Sequence, residues 1–495
     1  MAREAPLRRS VQPFTGDLAG PIWIGWTAFA LITLAATGAD PDLWGHVRFG
    51  LDWLRTRTLP AADPYSFTQD RPWVNHEWLS EALMGTAYLL GGAQGLIVLK
   101  MAVIGMALIV LYRRLRQCTP LVSAAVLSLA IVCVLPISQT VRPQLWSMLG
   151  LVVLLSLINR TTAPDWRRAA AGAALFALWA NLHGGWITGA AVLCAYTAVR
   201  VTRERRHLLR WSAFVAASLG GTLMNPYGLG LWRFLATTVR PSRPDITEWA
   251  PLTLASPVIL WFPLAATALL ALALSRRAES RPKAEVWAVL LLLIAGGVRV
   301  LRVGFLMGPA ALVLLAPCVC RAWGDLGRFT VASRASTAVF WIPALVAIAA
   351  SATPVSQAFA CLPITAYWKP DLKAAAYLRG SAGRLVTTFD WGEYAIWHFG
   401  PDLRVSVDGR RETVYSDSVV QWHRAFERGD EEGQKVFAEL APEYVWLPAS
   451  KARAKQWLLE NGYRIEGDTG ESFVASRRDA PRLAAPRALM SACFP

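Results

Sequence analysis

Residues 38–83 read GADPDLWGHVRFGLDWLRTRTLPAADPYSFTQDRPWVNHEWLSEAL and form the first long hydrophilic insertion between two apolar segments. Two carboxylates, Asp40 and Asp42, leave the first apolar helix together. His46 follows one helical turn later, and the polar knot Asn75-His76-Glu77 closes the insertion. Acids and imidazoles collected where a chain emerges from apolar surroundings predict the mouth of a lipid-facing active site.

The surrounding composition fits that placement. The chain has 495 residues, 54% hydrophobic and 17% charged. Soluble domains carry nearer a quarter charged residues, so the class is membrane protein. A net charge of +16 points first to nucleic acid, but the arginines cluster between apolar segments, as orientation signals do; no nucleic-acid partner is expected. The basic opening MAREAPLRRS precedes an apolar run with no small-residue cleavage site, which predicts a retained span. Cysteines without CxxC spacing argue against a zinc site, and the absence of a GxxxxGK[ST] loop argues against nucleotide hydrolysis.

Apolar segments near 20–39, 95–112, 121–138, 144–158, 168–182, 185–201, 211–224, 257–274, 284–298, 303–320 and 336–353 are the expected membrane spans. Segment 78–91 is apolar but stops at Gly91-Gly92. Placed along the interface, it leaves about 11 spans and sends Arg8, Arg9, Arg113, Arg114, Arg203, Arg205, Arg276 and Arg277 to the inner side, a positive-inside pattern. Counted as a span, it would reverse that pattern. With the N-terminus inside, Asp40, Asp42, His46, His76, Glu77, Arg142, Gln144, Asn181, His183, Asn225, Tyr227, Arg299 and Arg302 fall at outer ends of helices. Such groups are costly at that depth unless they share a wet cavity.

Beyond residue 355 the pattern changes to alternating helix and strand. PDLKAAAYLRG reads as a helix starting near Asp371, and RLVTTF, LRVSVD and YVWLPA read as buried strands. Helices are expected near 413–428, 431–440 and 451–461. The predicted fold class is thus an α-helical polytopic membrane protein of about 11 transmembrane helices, with a long first outer loop carrying interfacial helices and a C-terminal α/β extracytoplasmic domain. Its divisions are a cytoplasmic tail 1–19, a transmembrane domain 20–355 with outer loop 40–94, the α/β domain 356–478 and a loosely ordered tail 479–495. Cys361 and Cys493 fall on the oxidising side, where a disulfide between them is expected.

The layout of the first loop resembles the C-type integral-membrane glycosyltransferases, among them protein mannosyltransferases, aminoarabinose transferases and oligosaccharyltransferases. Asp40-Pro-Asp42 stands for the acidic element, Asn75-His76-Glu77-Trp78-Leu79 stands where mannosyltransferases carry His-Pro-Pro, and Val141-Arg142-Pro143 resembles an Arg-Pro-Asp with Gln144 replacing Asp. Phe389-Asp390-Trp391-Gly392-Glu393-Tyr394 is a weaker echo of the Trp-Trp-Asp-Tyr-Gly region of oligosaccharyltransferases. The resemblance implies a bacterial-type inner (plasma) membrane and transfer, on its outer face, of a sugar from a polyprenyl-phosphate-linked donor to a lipid, glycan or protein acceptor. It also allows a divalent metal, Mg or Mn, with Asp40, Asp42 and Glu77 as candidate ligands.

Each candidate has a plainer reading beside it. Asp40 and Asp42 could end a helix, although the dipole disfavours carboxylates at a C-terminus; otherwise one of them is the base that takes the acceptor proton. His46, His76 and Glu77 are pocket residues or ordinary interfacial groups. His183, beside two glycines, suits a substrate pocket or a satisfied buried imidazole. Arg142, Arg299 and Arg302 are phosphate forks or partners of the aspartates. Asp408-Gly409-Arg410-Arg411 reads as a structural turn, with the alternative that two arginines beside a strand end meet the acceptor or the membrane domain. A transporter or flippase of a lipid-linked substrate, and a non-catalytic envelope-assembly subunit, are the rival functions; fold alone does not separate them.

Overall fold

The computed structural model describes residues 19–117, 140–159, 163–238, 247–323, 334–486 and 488–495. The expected span 121–138 and most of the tail 1–19 lie outside the described residues. The other expected spans each fall on a helix, from α1 (Ala19–Ala35) to Arg334–Ala360. Four helices are long and apolar enough to cross a bilayer among the described residues: Trp78–Leu115, Val258–Ser275, Leu301–Ala322 and Phe340–Ala360. Gly20–Ala35 and Gln144–Ile158 are apolar but shorter. One helix, Leu229–Thr238, was not expected, because the preceding Asn225-Pro226-Tyr227-Gly228 turn reads as the end of a span.

The helices from Gln144 to Trp323 close around one apolar core that includes Leu151, Phe176, Trp186, Leu290 and Val313. Helix Arg334–Ala360 packs mainly on α1 and leaves Ile342 and Val346 exposed, the pattern of a helix facing lipid.

Two short helices lie in and after the first loop. α2 (Leu43–Thr56) buries Leu43, Trp44 and Val47 in an i, i+1, i+4 stripe that gives it one apolar face, and buries Phe49 on another side. The Trp78–Leu115 helix, α3, is broken at Gly91 (φ −156°, ψ 21°) and Gly92 (φ 57°, ψ −142°). Gly92 occupies a region closed to side chains, so residues 78–90 form a separate arm ending at the glycine pair. The arm crosses α2 closely enough for Gly50 to touch the Glu81 backbone.

The C-terminal domain is built on a five-stranded sheet in the order β2-β1-β3-β5-β4, with β1 Gly383–Thr387, β2 Leu403–Val405, β3 Tyr444–Pro448, β4 Tyr463–Asp468 and β5 Ser472–Arg477. β1 pairs in parallel with β2 and β3, whereas β3, β5 and β4 run antiparallel. Strand periodicity sorts the side chains. Leu385, Tyr444, Trp446 and Val474 face one core, and Val386, Val445, Phe473 and Ala475 face the other. The second core is covered by helices Asp417–Arg428, Glu431–Leu440 and Ala452–Glu460.

The first core is shared with the first loop: Leu43, Trp44, Phe49, Tyr65 and Trp73 pack with Tyr394, Val405 and Trp446. The loop also closes the sheet. Ser66 bridges Val405, with Phe67 N–H donating to Val405 O at 3.1 Å and Val405 N–H donating to Tyr65 O at 3.0 Å. The free edge of β2 is thereby paired, which removes an aggregation-prone edge. The described residues after 479 have little regular structure, and their last residues are tied to the rest of the chain. Cys361 and Cys493 form the expected disulfide, with Cα atoms 5.4 Å apart. Phe494 N–H donates to Leu362 O at 2.8 Å, and its buried ring lies against Trp44 and Trp397.

Candidate active site

The chain approaches the site as a short strand. Gly38 bridges Thr140 and Ala39 bridges Ile364, with Ala39 N–H donating to Pro363 O at 2.8 Å. Asp40 therefore emerges from a fixed backbone. It is fully buried, and its Oδ2 meets Arg142 Nε at 2.5 Å. Its Oδ1 accepts the N–H of Asp42 at 3.1 Å, an Asx turn that sets the next acid. Asp42 occupies the N-cap position of α2 but makes no side-chain cap bond. Its carboxylate faces a cavity of ≈ 380 Å³ instead.

That cavity lies between helix ends and the C-terminal domain. Asp42, His46, His76, Glu77, Gln144, His183, Arg299 and Arg302 all line it, so residues chosen from sequence across some 260 positions converge on one space. Met148, Ile187, Phe234 and Leu306 provide an apolar wall; Trp73 and Trp249 add aromatic faces.

Three candidates do not line it. Asp40 is enclosed with Arg142. Arg142 is committed to carboxylates, with Nη1 at 2.8 Å from Glu248 and Nη2 at 3.7 Å from Asp42, which fits the plainer reading of that arginine. Asn181 fastens helix ends: its Oδ1 accepts Trp78 Nε1–H at 2.8 Å, and its Nδ2 donates to Ala177 O and Met224 O. The metal candidates fit poorly. Asp40 is taken by Arg142, Glu77 faces two imidazoles, and no three His, Cys, Asp or Glu side chains converge as a ligand set among the described residues.

The surroundings of His46 and His183 push the two imidazoles in opposite directions. His46 Nδ1 lies 3.2 Å from Glu81 Oε1. Burial would lower its pKa, but the hydrogen bond to Glu81 and the carboxylates of Glu77, Glu81 and Asp42 outweigh that and raise it to about 9. His183 Nδ1 accepts Gly185 N–H at 3.0 Å and meets Ser147 Oγ at 2.5 Å, while Ser147 accepts Trp179 Nε1–H at 2.8 Å. The Ser147 proton is thus directed to Nδ1, and Nε2 carries the ring proton toward Glu77 Oε1 at 3.5 Å. Burial, with Arg302, His76 and His46 nearby, lowers His183 to about 3 against the pull of Glu77. Burial would raise Glu77, yet His76, His46 and Arg302, with the Nε2–H of His183 turned toward it, hold it below its usual value.

The two arginines differ. Arg302 Nε is 3.8 Å from Glu248, and its guanidinium is 5.7 Å from the Trp249 ring. Arg299 is exposed at its helix end.

Three acids lining the cavity, Glu81, Glu393 and Glu412, were not singled out from sequence. Glu81 lies four residues after Glu77, so helical spacing could have placed it on the same side of the helix as Glu77; its contact with His46 is between helices. Glu393 enters from helix Phe389–Phe399, and its Oε2 accepts Gly45 N–H at 3.1 Å. Burial first, then Asp42 and Asp408, push this carboxyl well above the usual range. Arg410 offers little relief. It is bidentate to Asp63 (2.6 and 2.8 Å) and to Asp408 (2.8 and 2.6 Å), inside a cage of Phe49, Tyr65 and Trp73 rings. Gly409, Arg410 and Arg411 line the cavity, and the ion pairs of Arg410 lock the first loop to the C-terminal domain.

By sequence, neither a family model nor a curated protein matches the chain. By structure, it is similar to the apo oligosaccharyltransferase of Archaeoglobus fulgidus, with TM-score 0.51 and 12% identity over 93% of this chain and 75% of that one. It is also similar to the arabinofuranosyltransferase AftD from Mycobacteria, with TM-score 0.53 and 14% identity over 92% of this chain; the match spans 39% of that longer protein. The convergent cavity at the helix ends and these two likenesses agree: the chain has the fold of the C-type integral-membrane glycosyltransferases.

Proposed function

We propose that the protein is a membrane glycosyltransferase that moves a sugar from a polyprenyl-phosphate-linked donor to an acceptor on the outer face of the membrane. In this reading about 11 spans carry the chain with its N-terminus inside, the 78–91 arm lies along the interface, and the α/β domain sits outside. The observation that carries it is the pairing, in one cavity, of Asp42 with Arg299 and Arg302 beside an apolar wall. An amphipathic phosphate-linked sugar needs those three elements together.

Asp42 accepts the proton of the acceptor as the acceptor atom attacks the anomeric carbon. The carbon–oxygen bond to phosphate breaks, and its electron pair leaves with the phosphate, so the sugar inverts. Arg299 and Arg302 take up the charge that develops there. Neutral His183, with its Nε2–H, and the amide of Gln144 hydrogen-bond the sugar; Gln144 Oε1 is buried without a partner in the structure. His76 and Glu77 shape the same wall. No step is assigned to a metal.

Asp42→Asn should lower transfer by about 10²–10⁴-fold while leaving the protein folded in the membrane. Mass spectrometry of co-purifying lipid should find a polyprenyl-phosphate sugar. Full activity in Asp42→Asn would remove the base from this scheme.

A further inference from the structure

Glu248 stands just behind the cavity lining, between Arg142, which holds Asp40, and Arg302, which lines the cavity. Its Oε1 accepts Arg142 Nη1–H at 2.8 Å, and its Oε2 lies 3.8 Å from Arg302 Nε. Backbone bonds fix this neighbourhood. Leu301 N–H donates to Ala250 O at 3.2 Å, and Leu252 N–H donates to Val298 O at 2.8 Å. The segment that carries Glu248 is thus pinned on either side of Arg299, with Arg302 directly after. Asp40, Asp42 and Glu248 share Arg142, and of these only Glu248 also reaches Arg302 among the described residues.

The two contacts of Glu248 are unequal. The bond to Arg142 is a short, charge-assisted hydrogen bond. The contact with Arg302 is too long for one and acts by charge alone. Arg302 Nε is buried with no hydrogen-bond partner among the described residues. A buried N–H without an acceptor is costly to leave so, and Glu248 is drawn the other way by its shorter bond to Arg142. A phosphate oxygen would answer that N–H.

We propose that Glu248 is a positioning residue that holds the donor phosphate's place: it keeps Arg302 at the cavity until the donor arrives, then yields it to the phosphate while retaining Arg142. The proposal rests on the reading of Arg302 as a phosphate fork given above. Donor binding then breaks one loose ion pair and makes charge-assisted hydrogen bonds in its stead. With the Glu248 charge removed, Arg302 has no partner to give up, and phosphate binds more tightly.

The test uses the full chain in nanodiscs and geranyl phosphate, a short polyprenyl phosphate, as probe, with binding read by isothermal titration calorimetry. Glu248→Gln should bind the probe about threefold more tightly than wild type, the scale of a part-exposed ion pair. Glu248→Asp, which keeps the charge, should stay within about twofold of wild type. Arg302→Met should bind more weakly, and adding Glu248→Gln to it should bring no gain. A merely structural role predicts the opposite sign, because a loosened arginine holds phosphate less well. The Glu248 side chain is 37% exposed, so the Gln variant should fold; Glu248→Ser repeats the measurement if it does not. Unchanged or weaker binding by Glu248→Gln, or the same gain in the Arg302→Met background, would overturn the place-holding role while leaving the phosphate fork intact. If wild type does not bind geranyl phosphate, or Arg302→Met binds it equally well, the donor reading of that arginine fails and takes this proposal with it.

Discussion

Asp40 and Asp42 are two residues apart and do opposite work. Asp40 is sealed against Arg142, and removing its charge would leave a guanidinium enclosed with too few partners. Asp40→Asn should destabilise the protein by about 3 kcal/mol or more, whereas Asp42→Asn should change stability by less than about 1 kcal/mol, as a part-exposed acid does. Thermal unfolding of the two purified variants separates the roles, and equal losses would contradict them. His46 gives a second measurement. Its folded pKa of about 9 lies above the ordinary 6.5, so its charge stabilises the fold fully below about pH 6.5 and stops doing so as pH rises through about 9. The melting temperature should fall across that window, and His46→Gln should flatten the fall; a wild-type profile that is level from pH 6.5 to 9 would refute the ion pair. Much of this pocket was legible in sequence, because charge orientation put His76, His183, Gln144, Arg299 and Arg302 at helix ends on one side. Glu393 was not legible as a partner of Asp42: no spacing rule links positions in separate folding units.

The helical segments followed from hydropathy, and the Gly91-Gly92 break followed from glycine itself. Gly92→Val places a branched side chain at φ 57° and should cost about 2 kcal/mol, read as a lower unfolding temperature of the detergent-solubilised protein. An unchanged temperature would mean the corner relaxes without strain. Other elements were missed for identifiable reasons. A helical turn from Asp42 to His46 was legible in the first loop, but the density of polar residues around it hid the full length of Leu43–Thr56. Helix Phe389–Phe399 was hidden by aromatic residues that looked like a motif. β4 and β5 are short strands joined through Gly470, at positive φ, and their sequence alternates weakly.

Taken as a whole, the molecule has its cores divided otherwise than its sequence. The first loop lies among membrane segments in the chain but shares an apolar core and a sheet edge with residues 360–495. Arg410 is the polar lock of that union. Arg410→Met should cost about 3–5 kcal/mol by stranding Asp63 and Asp408. Adding Asp63→Asn and Asp408→Asn to that variant should recover part of the loss in the same thermal assay; a single variant as stable as wild type would show that the lock contributes nothing.

The bridge from Ser66 to Val405 also sets an order of events during synthesis. The loop that carries Asp42 leaves the ribosome long before its sheet partner exists, so α2 waits with its apolar face uncovered while the intervening helices are made. Domains tend to fold as they emerge, but this one cannot begin at its first segment. The acid is set in place when the later strands arrive and Cys361 finds Cys493. A chain interrupted anywhere before them would present a loop with the right residues and no fixed site.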